Sequence, residues 1–185
     1  MKIPLLFSLS VATILTTLSG ETLNAQQVDE YQVKAAFLYN FAKFVEWPAE
    51  AGGAPEVLTI CVLGRDPFGQ ALDDVIAGKI IAGRPLALRR LTDARHTGGC
   101  SILFISSSEN IRSLSSLKSD EKRGVLTVGE AGNATAECVA IKFTLEGGKI
   151  RFEINLAEVQ EEKLRLSSKL LSLATVVRRT PDSPR

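Results

Sequence analysis

The 185-residue chain holds one histidine, one methionine, one tryptophan and three cysteines. A single histidine excludes a multi-histidine metal site within the chain, and three cysteines cannot build a four-thiolate zinc site. Charge of one sign is missing too: 22 Lys plus Arg stand against 21 Asp plus Glu, a formal net charge of +1. Nucleic-acid binders concentrate basic charge, so no nucleic-acid partner is expected. Gly-x-Ser-x-Gly, Gly-x-Gly-x-x-Gly and the phosphate-loop lysine do not occur, which removes the usual signals of an α/β hydrolase or a nucleotide site. No cofactor is expected. The hydrophobic fraction of 45% and charged fraction of 23% are those of an ordinary globular chain.

The first residues read as an address. Met1-Lys2 is a minimal basic region, and Ile3 to Leu18 is mostly apolar and uncharged, followed by Leu23-Asn24-Ala25. That layout predicts a secretory signal peptide over 1–25, cleaved after Ala25, with cleavage after Gly20 as the variant. A membrane anchor is the competing reading, but about 20 apolar residues are needed to cross the hydrocarbon core. The expected mature chain starts at Gln26, forms one α/β domain over 26–180, and ends in a polar tail at 181–185. Export places it in an oxidising compartment.

There, Cys61, Cys100 and Cys138 are an odd count, so one thiol lacks an intrachain partner. Cys61 lies in the apolar run Val57–Leu63, and Cys100 opens another through Ile105. Both runs read as buried strands. If the strands are neighbours, their spacing suits a disulfide, closing a loop of about 40 residues and contributing about 4 kcal/mol. The alternative is three buried thiols acting as small hydrophobes.

Periodicity supplies the rest. Tyr31, Ala35, Leu38, Phe41 and Val45 recur at helical spacing between Gln26 and Trp47, with Phe37 and Phe44 widening the stripe and Pro48 ending it. Asn40 is the odd polar residue there. Ala49 to Pro55 reads as a loop. Strands are expected at Val57–Leu63, at Ile80-Ile81 with Pro85–Leu91, at Ile102–Ile105 and at Val125–Val128. Between them lie a short helix capped by Asp66 with Pro67 at its first position, and a helix entered at Ser107 or Ser108 with Ile111, Leu114 and Leu117 as its apolar face. Gly129 to Glu137 reads as a loop or short helix. Then Ile141, Phe143 and Leu145 alternate with polar residues, Gly147-Gly148 turns, and Ile150, Phe152 and Ile154 alternate again, a hairpin with a two-residue turn. Counting from the turn pairs Leu145 with Ile150, Phe143 with Phe152 and Ile141 with Ile154; Lys142 meets Glu153 and Glu146 meets Lys149 on the other face. Asn155 and Ser167 are placed to cap two more helices, the second carrying Leu170, Leu171, Leu173, Ala174 and Val177. The expected fold is α/β: a three-layer α/β/α sandwich with a mostly parallel sheet and a C-terminal antiparallel hairpin.

Candidate chemistry is sparse. Ser106 to Ser108 sit at the carboxyl end of a strand, where such folds place ligands, but a serine nucleophile needs a base and His96 is the lone histidine. Helix capping explains the serines. Gly64-Arg65-Asp66 and Gly129–Gly132 read as tight turns, with a small-molecule cleft beside Ser106 and Gly129 as the alternative. The aromatic helix is either core or an exposed recognition stripe.

Several runs carry a family resemblance: Val33–Pro48 (VKAAFLYNFAKFVEWP), Ile60-Cys61-Val62-Leu63-Gly64, Cys100–Ser106, Lys149–Leu156 and Ser167-Ser168-Lys169-Leu170-Leu171. In order and together they resemble the YfiR family. The resemblance implies a periplasmic protein of Gram-negative bacteria that is not an enzyme. It implies binding to the periplasmic sensor domain of a membrane-bound diguanylate cyclase, repression of cyclic di-GMP synthesis and biofilm formation, and release by an outer-membrane lipoprotein. It also implies a Cys61–Cys100 disulfide, while a second bridge known in some members lacks a mate for Cys138. Glu153, Asn155 and Val159, at the hairpin edge and the helix after it, are the expected partner-binding residues, with the aromatic helix as the other surface. A homodimer stays open, and a small-molecule sensor acting on another membrane partner is the alternative function.

Overall fold

The computed structural model describes residues 20–47, 55–110, 124–132 and 138–177. In chain order these form helix α1 (Gly20–Phe44), strands β1 (Val45–Glu46) and β2 (Leu58–Leu63), helix α2 (Gln70–Ile76), strands β3 (Ile80–Ile81) and β4 (Arg84–Leu91), a 3-10 turn at Ala94–His96, strands β5 (Ile102–Ile105), β6 (Leu126–Glu130), β7 (Ile141–Glu146) and β8 (Lys149–Asn155), helix α3 (Leu156–Glu161), strand β9 (Arg165–Leu166), helix α4 (Ser168–Ser172) and strand β10 (Thr175–Val177). Most of the expected signal peptide, the 49–54 loop, most of the helix after Ser106, residues 133–137 and the polar tail lie outside the described residues. In the uncleaved chain α1 begins at Gly20, so the expected cleavage after Ala25 falls within its first turns.

Among the described residues, eight strands make one sheet in the order β10-β8-β7-β6-β5-β2-β4-β3. Neighbours from β4 through β7 are parallel, as are β8 and β10; β7–β8 and β3–β4 are antiparallel. The α/β class and the mostly parallel sheet are as the sequence predicts. The apolar runs explain the parallel core: every residue of β2, β5 and β6 is buried, as strands covered on both faces must be. Alternate residues feed different clusters. Ile60, Val62, Ile102 and Phe104 join the large core beneath α1 and α2, whereas Cys61, Leu63, Leu103 and Ile105 join a smaller cluster on the other face.

Cys61 and Cys100 are bonded within that smaller cluster, their Cα atoms 5.8 Å apart. The bridge joins the centre of β2 to the chain entering β5, two strands paired in parallel. Cys138 is the free cysteine among the described residues.

The hairpin has the register that charge and apolar matching predict, from Ile141–Ile154 through Glu146–Lys149. Gly147 and Gly148 both take positive φ, 56° and 73°, as a turn whose twist suits the strands requires. Lys142 Nζ and Glu153 Oε2 lie 2.7 Å apart on the outer face.

Four expectations need correction. The first helix stops at Phe44, not Trp47: Pro48 pushes the residue before it to extended backbone, and Val45-Glu46 pairs with Leu166-Arg165 instead. Asp66 does not cap α2, which starts at Gln70 behind Gly69. Its carboxylate accepts from Phe68 N at 2.8 Å and from Arg90 Nε at 2.7 Å, so it serves a turn and an ion pair. The last helix is cut short at Ser172, and Thr175-Val176-Val177 pairs with Glu153–Asn155. Two adjacent valines after a threonine favour extended backbone, and β8 offers an open ladder. The hairpin is therefore not the sheet edge; β10 is.

Replacing Cys61 and Cys100 together by alanine should lower unfolding free energy by about 4 kcal/mol, the loop-closure contribution of a bridge spanning 39 positions. Urea denaturation of the double variant against the oxidised wild type measures it; the single Cys138→Ala change should leave the midpoint nearly unmoved.

Candidate functional site

The chain leaves β2 for β4 on one side, then returns to the other side for β5, so the topological switch point lies between the ends of β2 and β5. Open α/β sheets bind ligands at that place. Here the two loops close on each other. Gly64 N donates to Leu91 O at 2.8 Å, Ser106 N donates to Leu63 O at 3.0 Å, and Arg65 N donates to Ser108 Oγ at 2.8 Å. Gly64 takes φ +88°, and a Cβ there would lie 2.6 Å from Ser108 Oγ and 2.8 Å from Glu109 Oε1. Gly64 thus makes room for its own chain. Gly129 is likewise approached by Val139, 3.4 Å from the position of a Cβ. Ser106 is buried, and its Oγ lies 3.3 Å from that of Ser108. His96 is exposed in the 3-10 turn, and its backbone carbonyl accepts from Arg89. The serines are thus engaged in holding the loops together.

Beside this point, Arg90 on β4 grips the loop before α2. Its guanidinium reaches Asp66, Asp73 and the Gly69 carbonyl. The hydrogen bond from Arg90 holds the exposed Asp73 carboxyl below its ordinary pKa.

At the end of β6 lies a buried ionic cluster that composition and periodicity did not reveal. Lys34 on α1 is 4% exposed. Its ammonium pairs with Glu30 one turn back and with Glu130 of β6, and sits 4.4 Å from the centre of the Tyr31 ring. Tyr31 Oη donates to Glu130 Oε2 at 3.4 Å. Burial first, then the Glu130 charge and this hydrogen bond, push the Tyr31 hydroxyl above its ordinary value of 10.0. One signal was available: Lys34 sits one residue before Ala35 on the apolar stripe and four after Glu30. A second buried group ties α3 to the sheet. Glu162, wholly buried, accepts from the Thr127 hydroxyl and from Thr127 N at 3.3 Å, and Thr127 Oγ1 accepts from Ala140 N at 2.9 Å.

The aromatic helix resolves as core. Phe41 is fully buried between Phe143 and Phe152, ring centres 5.8 and 5.2 Å away. Trp47 is buried and its Nε1 donates to Ser101 O at 3.1 Å. Phe37, Tyr39, Asn40 and Phe44 are half-buried.

The three expected partner-binding residues come together around the β8–α3 junction but face different ways. Glu153 is half-buried and ion-paired with Lys142. Asn155 caps α3, its Oδ1 accepting from Ala157 N at 3.1 Å. Val159 is 5% exposed and belongs to the core, because the helix that Asn155 caps turns it inward.

Where the hairpin extends past α1, a groove of about 310 Å³ opens. Val33 and Phe37 of α1 form one wall, Leu145 and Ile150 the other, with Glu30 and Lys149 at the polar margins.

Lys34→Ala should cost about 3–5 kcal/mol, since it leaves Glu130 buried without its cation; urea unfolding reads this. Tyr31 also gives the fold an alkaline limit. A pKa raised on folding stabilises below the unfolded value and loses that contribution as pH rises past it. Stability should therefore hold up to about pH 10 and fall above it, and Tyr31→Phe should flatten that limb of a melting-temperature profile.

The geometry can be set beside known proteins. The YfiR/HmsC-like family matches residues 31–175. No curated protein matches the chain closely enough to count as a relative. The matched span runs from the Tyr31–Glu130 contact through the Cys61–Cys100 bridge and the hairpin to the start of β10, and so includes nearly all of the described fold: the chain belongs to the YfiR/HmsC-like family.

Proposed function

We propose that this protein is a periplasmic, non-enzymatic repressor that binds the periplasmic sensor domain of a membrane-bound diguanylate cyclase and holds it inactive, keeping cyclic di-GMP and biofilm formation low. Family membership over residues 31–175 carries the reading; it supports a regulator of cyclic di-GMP signalling and a regulatory role over a catalytic one. Three features agree with it. The Cys61–Cys100 bridge suits an oxidising compartment. Among the described residues no helix is long and apolar enough to cross a membrane. Among the described residues, Ser108 and Glu109 close on Gly64, and Val139 on Gly129, which supports a binding protein over a sensor with its ligand beside Ser106 and Gly129.

Repression of this kind is a population shift. A rigid domain docks on one of two states of the cyclase and must bind that state more tightly by several kcal/mol, about 5.5 for a near-complete switch. The α1–sheet packing and the disulfide supply the rigidity, which lowers the ordering cost on docking. Around the β8–α3 junction, Glu153 and Asn155 are the members of the expected contact set that a partner can reach; Val159 acts from beneath, by fixing α3. An outer-membrane lipoprotein that competes for the same protein would release the cyclase.

Deleting the gene should raise cellular cyclic di-GMP and surface attachment severalfold, and the wild-type copy should reverse both. Pull-down with the exported, oxidised protein should recover a membrane-bound diguanylate cyclase. An unchanged nucleotide level on deletion would overturn the reading.

A further inference from the structure

We infer that Arg151 and Thr144, facing each other on the outer side of the β7–β8 hairpin, form a seat for one carboxylate of the partner protein, an acidic side chain of the cyclase's periplasmic domain. This rests on the proposed docking role and deepens it. Arg151, Glu153 and Asn155 alternate onto one face of β8, and the seat names the chemistry that this face selects.

Three observations carry it. First, the register leaves one charge over. The outer face of the hairpin sets Lys142 against Glu153, Glu146 against Lys149, and Arg151 against the uncharged Thr144. Three cations thus meet two carboxylates. Lys142 and Glu153 are bonded at 2.7 Å, and Lys149 answers Glu146 by position. Arg151 is exposed and has no ion pair among the described residues. Second, the residue across from it has an unmet need of its own. The Thr144 hydroxyl oxygen is buried without a hydrogen-bond partner among the described residues, whereas buried polar groups are ordinarily paired. Thr144 as a whole is only half-buried, so a change of χ1 rotamer turns the hydroxyl to the open face. Third, the geometry suits a carboxylate. Side chains directly opposite in an antiparallel pair start about 5 Å apart. A guanidinium offers two parallel N–H donors to the two oxygens of a carboxylate, and a hydroxyl beside it donates to a remaining lone pair.

The charge count decides between a protein and a membrane. Adsorption to an anionic lipid surface takes a cluster of about four to eight basic residues, and this face has one in excess. A single cation between matched pairs acts instead as a selector: it accepts an acidic side chain and repels a basic one. The opposite end of the sheet supplies a control, because Lys79 is exposed just before β3, the far edge strand.

The test uses the oxidised full-length mature protein and, as the probe, the purified periplasmic domain of the cyclase recovered by pull-down, with affinity read by calorimetry. Arg151→Glu should weaken binding about tenfold or more, whereas Lys79→Glu, the same change of charge, should leave it unchanged. Both positions are exposed, so matching thermal melts should confirm folding. Reversing one acidic residue of the cyclase domain to Lys should restore the affinity that Arg151→Glu loses. Thr144→Val should weaken binding severalfold while the melt stays level or rises, because it removes an unpaired buried hydroxyl; a threonine with a purely structural role would not split the two readouts. Undiminished binding by Arg151→Glu or by Thr144→Val, equal loss with Lys79→Glu, or no acidic residue whose reversal restores affinity would overturn the assignment and leave the repressor reading standing. A wild type that binds no cyclase domain, with an unchanged cyclic di-GMP level on deletion, would overturn both.

Discussion

The rest of the structure depends on the burial of β2 and β5 on both faces. A strand with no wet side cannot stand at the surface of a protein, so helices or loops must cover it above and below. α1 meets that demand on one face, with Leu38 and Phe41 entering the core formed by Ile60, Phe104, Phe143 and Phe152. On the other face the Cys61–Cys100 bridge lies among Leu63, Leu103 and Ile105. The two strands are thus held by packing on one side and by a covalent tie on the other.

How α1 is seated follows from this arrangement. An apolar stripe fixes which face of a helix turns inward, yet leaves it free to slide along its axis at little cost. The Lys34–Glu130 pair removes that freedom, since a displaced helix would leave a buried carboxylate without its cation. Phe41 between Phe143 and Phe152 gives a second fixed point about two turns away. The helix that shapes one wall of the groove is therefore positioned by charge and by shape together.

Legibility in the sequence tracked the range of the interaction. The hairpin could be read with its register because matching and turn chemistry are local: Gly147-Gly148 sets the turn, and each pair is counted from it. The buried strands and the Cys61–Cys100 tie were legible from run length and cysteine placement. Residues that answer to distant partners were not. Val45 reads as helix because nothing near it announces Leu166 as a strand partner. Thr175–Val177 continues the helical pattern although its β-branched side chains favour a strand, since only the open edge of β8 makes a strand there worthwhile. Lys34 and Glu130 are 96 residues apart, and Thr127 and Glu162 are 35 apart; no periodicity links such pairs. From the sequence Val159 reads as reachable, because the orientation of a short helix is fixed by its cap and by the sheet beneath it, and here these turn it into the core.

The position of the bridge in the sheet also governs which thiols meet. Parallel pairing of β2 with β5 sets the Cα atoms of Cys61 and Cys100 5.8 Å apart, within the span a disulfide needs. Cys138 lies just before β7, and β6 stands between β7 and β5 in the sheet. Strand order therefore selects the two sulfurs that bond. An odd complement of cysteines, which in an unfolded chain would invite scrambled products, is made tolerable by where the sheet puts each thiol.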